Sequence, residues 1–190
     1  MKKFLAIVLM LTCSLALFAC GGYKKDAADF VEAVAATDPA ELVVTVSIST
    51  EEGTYTSEYK TVYNEDSSST MTYKIATVPG LDSAEDVVYV EGTVTCDKDG
   101  NYSDGGAVSG KLAATGVKVN LESKAIETYA IKGNVLTIDV AKASAKDIVG
   151  IELASDAVLS VTKNADGKVV SITLNYTAAE GPVSIVCAYN

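Results

Sequence analysis

The feature that most constrains this chain is the strict alternation of apolar and polar residues that begins at Glu41. Over residues 41–50, Leu42, Val44, Val46 and Ile48 fall on one face and Thr45, Ser47 and Ser49 on the other. That period of two belongs to a strand with one buried side. The pattern then recurs. Residues 54–64 carry Tyr55, Tyr59 and Tyr63 in phase, residues 70–78 carry Met71, Tyr73 and Ile75, and residues 87–97 carry Val88, Val90, Val94 and Cys96. Further strands are predicted over 111–114, 117–122, 127–131, 135–140, 157–163, 168–177 and 183–189. Tight turns at 51–53, 64–68, 132–134 and Asp166-Gly167 imply antiparallel hairpins. About ten strands at such spacing indicate an all-β sandwich or barrel.

One helix precedes the strands. Phe30, Val31, Val34 and Ala35 form an apolar stripe within residues 26–36, and Asp26, Asp29 and Glu32 lie toward the start, where the helix dipole favours anions. Asp38-Pro39 ends it. A helix this short is marginal alone and must pack on the sheet. Shorter helical stretches are predicted at 83–86 and 143–149, the second capped by Ser144 and stopped by Gly150. The fold class is therefore expected to be mainly β (α+β): a large curved antiparallel sheet, or half-barrel, with one N-terminal helix packed on its apolar face.

The first residues are of a different kind. Lys2 and Lys3 precede an apolar run from Phe4 to Phe18, which ends in Leu17-Phe18-Ala19-Cys20. Basic start, apolar core and a small residue before the cut make a secretory signal. The run is about 15 residues, short of the roughly 20 needed to span a bilayer. Leu17-Phe18-Ala19-Cys20 resembles the lipobox of bacterial lipoproteins. The resemblance implies cleavage before Cys20, a diacylglycerol on its thiol, and a cell-membrane anchor on the extracytoplasmic side. The expected organisation is a signal over 1–19, a lipidated cysteine and short tether over 20–25, and one β-rich domain over 26–190.

After that cut, 13 Lys face 25 Asp plus Glu, a net charge of −12. Such a surface repels phosphate backbones and anionic leaflets, so no nucleic-acid partner is expected and attachment rests on the acyl chains. The chain has no His, Trp or Arg. The usual general base, the commonest metal ligand and the bidentate guanidinium are all missing. An enzyme is accordingly not expected, and no cofactor is implied.

Four groups of residues are candidates for a site. Cys96 and Cys187 remain after cleavage; they pack as buried thiols or form a disulfide, which an extracytoplasmic location permits. Asp97, Asp99, Asn101 and Asp104 alternate as oxygen ligands of a hard cation would, but the glycine falls at the fourth position and no Glu at the twelfth, and a polar turn explains them equally. Tyr55, Tyr59, Tyr63 and Tyr73 lie on adjacent strands and could line an amphipathic pocket for a lipid or glycan, or simply fill a sheet. Phe30 and Val34 of the helix would complete such a pocket.

Helix first, then long antiparallel strands on a lipobox-bearing chain, is similar to the LolA-like half-barrel lipoproteins, in which a curved sheet wraps around an apolar cavity that holds acyl chains. Here the middle helices that plug such a cavity shrink to 83–86 and 144–149. The resemblance implies an anchored protein that binds or carries an apolar ligand such as a lipid. The alternatives are a solidly packed structural or adhesion domain and, last, a carboxylate-based glycosidase with two carboxylates in a cleft. What fills the apolar side of the sheet discriminates among the three.

Overall fold

A computed structural model describes residues 27–77, 89–107 and 117–190. The signal segment, Cys20, the tether and the elements predicted at 83–86 and 111–114 lie outside the described residues. The chain is mainly β, one large open antiparallel sheet with two short helices.

Helix α1 spans Ala28–Ala35. Ala27 and Phe30 are buried at 0% and 3% exposure, and Val31, Ala33 and Val34 pack against the core. Ala35, placed on the apolar stripe by its spacing, is exposed instead. The helix has no side-chain cap at its start, and its end is closed by the Thr37 hydroxyl, which donates to the Ala33 carbonyl at 2.8 Å.

The strands are β1 (Glu41–Ser49), β2 (Thr54–Tyr63), β3 (Ser69–Ala76), β4 (Tyr89–Cys96), β5 (Thr128–Lys132), β6 (Val135–Val140), β7 (Ala157–Lys163), β8 (Val169–Ala178) and β9 (Gly181–Tyr189). Their order in the sheet is β4-β3-β2-β1-β9-β8-β7-β6-β5. Two meanders, β1–β4 and β5–β9, thus meet where β1 pairs with β9, the one pairing in this sheet between strands that are not consecutive in the sequence. That seam is fixed at both ends. Glu41 and Asn190 exchange backbone hydrogen bonds of 3.1 and 3.0 Å, and the Glu41 carboxylate also meets Lys60 Nζ at 2.7 Å and the Asn190 amide at 3.2 Å. At the other end Gly181, at φ +140°, comes so close to the Ser49 carbonyl that no Cβ fits.

The register puts one apolar set across the whole sheet. Leu136, Leu159, Leu174 and Ile138 are fully buried, and Val44, Ile185 and Cys187 continue the same face on β1 and β9. Among the described residues, three pieces pack on that face: α1, the irregular segment 117–126, and helix α2 (Ala145–Val149), which follows a 3-10 turn at Lys142–Ser144. A strand is expected over 117–122, but none forms. Val117 and Leu121 instead turn into the core at 6% and 3% exposure, and the Asn120 backbone N–H bonds to the Ile148 carbonyl at 2.8 Å. Its apolar positions fill the sheet's interior rather than extend its edge. The cap expected at Ser144 is also absent as a side-chain bond; a side-chain oxygen instead meets the start of the preceding 3-10 turn, where Asp156 accepts the Lys142 N–H at 2.8 Å. Gly150 does end α2, at φ +74°.

Candidate functional site: the hydroxyl-bearing face of the sheet

The alternation that buries one face leaves the other lined with short polar side chains. At one level the register aligns Thr128, Asp139, Val158, Asn175, Ser184 and Ser47 on neighbouring strands from β5 to β1. Near this level, toward the ends of β6 and β8, lies a groove of about 840 Å³. Ser49, Thr177, Glu127 and Asp156 stand around it, and Ala125, Ala141, Val158 and Pro182 contribute apolar surface. Val140, Ala157, Tyr176 and Val183 also border the groove, but they share the phase of the core residues and pack with them. Asp156 is held in place. One carboxylate oxygen accepts the Lys142 N–H, and its carbonyl accepts the Ser155 hydroxyl at 2.8 Å, while that hydroxyl accepts the Thr177 N–H at 2.9 Å.

A second hollow, of about 490 Å³, lies where the end of α1 meets the β7–β8 turn and the end of β9. Ala33, Ala36, Val169 and Val170 contribute apolar surface, and Asp38, Asp166 and Lys168 the charged surface. Tyr189 borders it, and burial, followed by the nearby Cys187 and Tyr63, pushes its phenol well above the usual range.

The aromatic residues singled out in the sequence do not converge on one pocket. Tyr55, Tyr59 and Tyr63 do share a face of β2, but Tyr55 and Tyr63 are eight residues apart, about 27 Å along a strand. Tyr59 is buried and faces Tyr73 directly across the β2–β3 pair. The Tyr73 ring in turn covers Gly92 on β4, where an added Cβ would strike the phenol. Tyr55 packs in a small separate cluster with Ala76 and Ile48, and Tyr63 is 45% exposed. Phe30 is on the other side of the seam, under Lys163, whose ammonium lies 4.1 Å from the ring centroid. Val34 packs against the core cluster.

The two cysteines are both free thiols. Cys96 is on β4 and Cys187 on β9, four strand spacings or about 19 Å apart across the sheet, beyond the reach of a disulfide. Burial pushes the Cys187 thiol up, as expected of a small core side chain.

The Asp97 loop is closed by its own donors. The Asp97 carboxylate accepts the Asp99 N–H at 2.9 Å, the Asn101 N–H at 2.9 Å and the Asn101 amide at 3.0 Å, and these bonds, the Asn101 amide first, hold its carboxyl below the usual range. Asp104 bonds locally to the Gly106 N–H at 2.8 Å. Among the described residues no group of three or more His, Cys, Asp or Glu is placed to hold a metal ion. These residues build a turn.

No known protein family matches this chain, and no characterised protein matches its sequence. Among solved structures, it is similar to the erythromycin dehydratase, at 11% identity over 80% of this chain and 73% of that one, with a TM-score of 0.22. It is also similar to the dehydratase domain from the CurF module of curacin polyketide synthase, at 11% identity over 92% and 83%, with a TM-score of 0.24. At that level of likeness nothing about chemistry transfers.

The groove was not singled out from the sequence. Its residues are the polar half of ordinary alternating strands, and nothing in Ser47 or Asn175 marks either as special. Only the strand order puts them side by side.

Proposed function

We propose that this chain is a lipid-anchored extracytoplasmic domain that works as a binding or structural module through the exposed face of its sheet. The observation that carries the reading is the filled apolar side of the β5–β9 half among the described residues. Phe30, Leu121, Ile148, Val149 and Leu159 are all at 3% exposure or less and belong to one continuous cluster. An interior occupied by its own side chains leaves the outer face for partners. The anchor rests on the lipobox resemblance at Cys20; among the described residues no helix is long and apolar enough to cross a membrane.

A carrier of an apolar ligand is the second reading. The partly apolar hollow beside Tyr189 favours it, and that hollow, unlike a half-barrel's cavity, lies at the rim of the core. A glycosidase has a weaker basis. Asp139 and Asp156 both border the groove, but both are exposed, and the pair needs one carboxyl in a dry pocket. Asp156 also spends one oxygen on the Lys142 N–H.

Two measurements test the proposal. Cys20→Ser is expected to move the protein from the membrane to the soluble fraction and to remove the mass of a diacylglyceryl group; an unchanged distribution defeats the anchoring. Native mass spectrometry of the released protein is expected to show the bare chain mass. A stoichiometric co-purified lipid would instead support the carrier.

A further inference from the structure

We propose that the groove on the hydroxyl-bearing face binds a neutral oligosaccharide. This deepens the reading that the domain works through that face and rests on it. Size is the first argument. At about 840 Å³ the groove falls within the range of small-ligand sites, and from Ser47 on β1 to Thr128 on β5 it crosses five strand spacings, about 24 Å. That shape takes an elongated ligand.

The lining then selects the chemistry. The apolar part of the lining is divided: Val158, 40% exposed, lies on β7 and Pro182 on β9, with β8 between them. Hydroxyls and an amide from Ser47, Ser184, Thr177 and Asn175 accompany them. A pyranose ring has the matching form, with an apolar C–H face and a rim of hydroxyls. An acyl chain would cover Val158 and Pro182 but leave the polar groups between them desolvated without partners. Among the described residues, no Lys borders the groove, whereas Glu127, Asp139 and Asp156 do. Anionic sugars and phosphates are therefore disfavoured. A polyamine would meet the carboxylates, but it is a donor only. The serine and threonine hydroxyls and the Asn175 amide are donors as well as acceptors, and a sugar hydroxyl satisfies them in both roles. Finally, the rim is ordered before any ligand arrives. The Lys142 N–H holds one Asp156 carboxylate oxygen, and the Ser155 hydroxyl, itself bonded by the Thr177 N–H, holds the Asp156 carbonyl. Such preorganisation lowers the entropic cost of binding.

The test is calorimetric titration of the full chain, held in a detergent without a sugar headgroup, with maltohexaose, cellohexaose and chitohexaose. Spermidine and a galacturonate oligomer serve as cationic and anionic comparators. At least one neutral hexasaccharide is expected to bind, and the galacturonate oligomer is not. Val158→Lys and Ser184→Lys, each checked for an unchanged thermal transition, are each expected to weaken binding at least tenfold. In the unsubstituted protein, amide shift changes on adding that sugar are expected to centre on Val158, Asn175 and Ser184, a readout that needs no variant to fold. Binding of spermidine alone, of no neutral sugar, or with shifts centred elsewhere overturns the inference. That failure leaves the anchoring and the filled interior standing, because fractionation and native mass spectrometry read those separately.

Discussion

The two meanders of the sheet differ in how completely their apolar face is covered. On β6–β8 it is aliphatic and closed: Leu136, Ile138, Leu159, Val161 and Leu174 are all at 0% exposure, under α2 and the 117–126 segment. On β2–β4 it is largely aromatic and graded. Tyr59 and Val94 are buried, whereas Tyr63 and Val90, on the same face, are 45% and 49% exposed. Both halves have the same alternation in sequence. The difference shows that alternation specifies a buried face only where something in the chain is there to bury it. Branched aliphatics suit the half that is sealed, while Tyr, apolar with one polar tip, suits the half that keeps contact with water.

The largest expected effect tests the sealed half. Leu159→Ala removes a fully buried side chain between Ile138 and Leu174, and should cost about 2–5 kcal/mol in urea unfolding. A value below about 1 kcal/mol would mean that the interior collapses freely and is not solid, which removes the basis of the contrast. The next tests the tyrosine half. Gly92→Ala puts a methyl into the Tyr73 ring, and the displaced ring should cost about 1–3 kcal/mol, read from the same unfolding curves. The pair Gly92→Ala with Tyr73→Ala should recover part of that loss, since the small side chain no longer blocks the space.

A pH effect comes next. Burial raises the Tyr189 phenol's folded-state pKa above its unfolded value near 10. The folded state therefore keeps the proton where the unfolded state has lost it. The stability this contributes is fully present below about pH 10 and is lost as pH climbs from there toward the folded value. Tyr189→Phe should flatten the alkaline fall in melting temperature. An equally steep fall in the variant would assign it to other tyrosines. The smallest effect belongs to the exposed end of β2. Tyr63→Ala should change stability by no more than about 0.5 kcal/mol, and a larger loss would mean that the tyrosine half is as tightly closed as its neighbour.

Much of the fold was legible in the residues. Leu42–Ile48, Ala157–Lys163 and Val183–Tyr189 alternate so regularly that their strands, and the face each buries, follow from local sequence. The Asp166-Gly167 hairpin and the Gly150 stop are likewise local chemistry, a left-handed backbone that glycine adopts without strain. Residues 117–122 misled because Val117, Val119 and Leu121 alternate as a strand's would, whereas the segment joins no ladder and is held instead by the burial of Val117 and Leu121 and by the Asn120–Ile148 backbone bond. For the four tyrosines and two cysteines the sequence left two readings open, for another reason. Being in phase on one strand, or on the apolar face of two, says nothing about distance across a sheet whose order is unknown.

By itself, then, the sequence determined what is local: the signal-like start ending at Cys20, the alternation of the strands, the turns, the acidic charge, and the absence of His and Arg. Tertiary structure decided what depends on which strands are neighbours. It joined the first strand to the last, kept Cys96 and Cys187 apart, spread the tyrosines along β2 and across to β3, and drew Ser47, Asn175, Asp139 and Val158 into one groove. The physical reason is that alternation fixes the face of each residue through the geometry of a single strand. Adjacency instead comes from the packing of the whole apolar surface, to which every strand contributes at once.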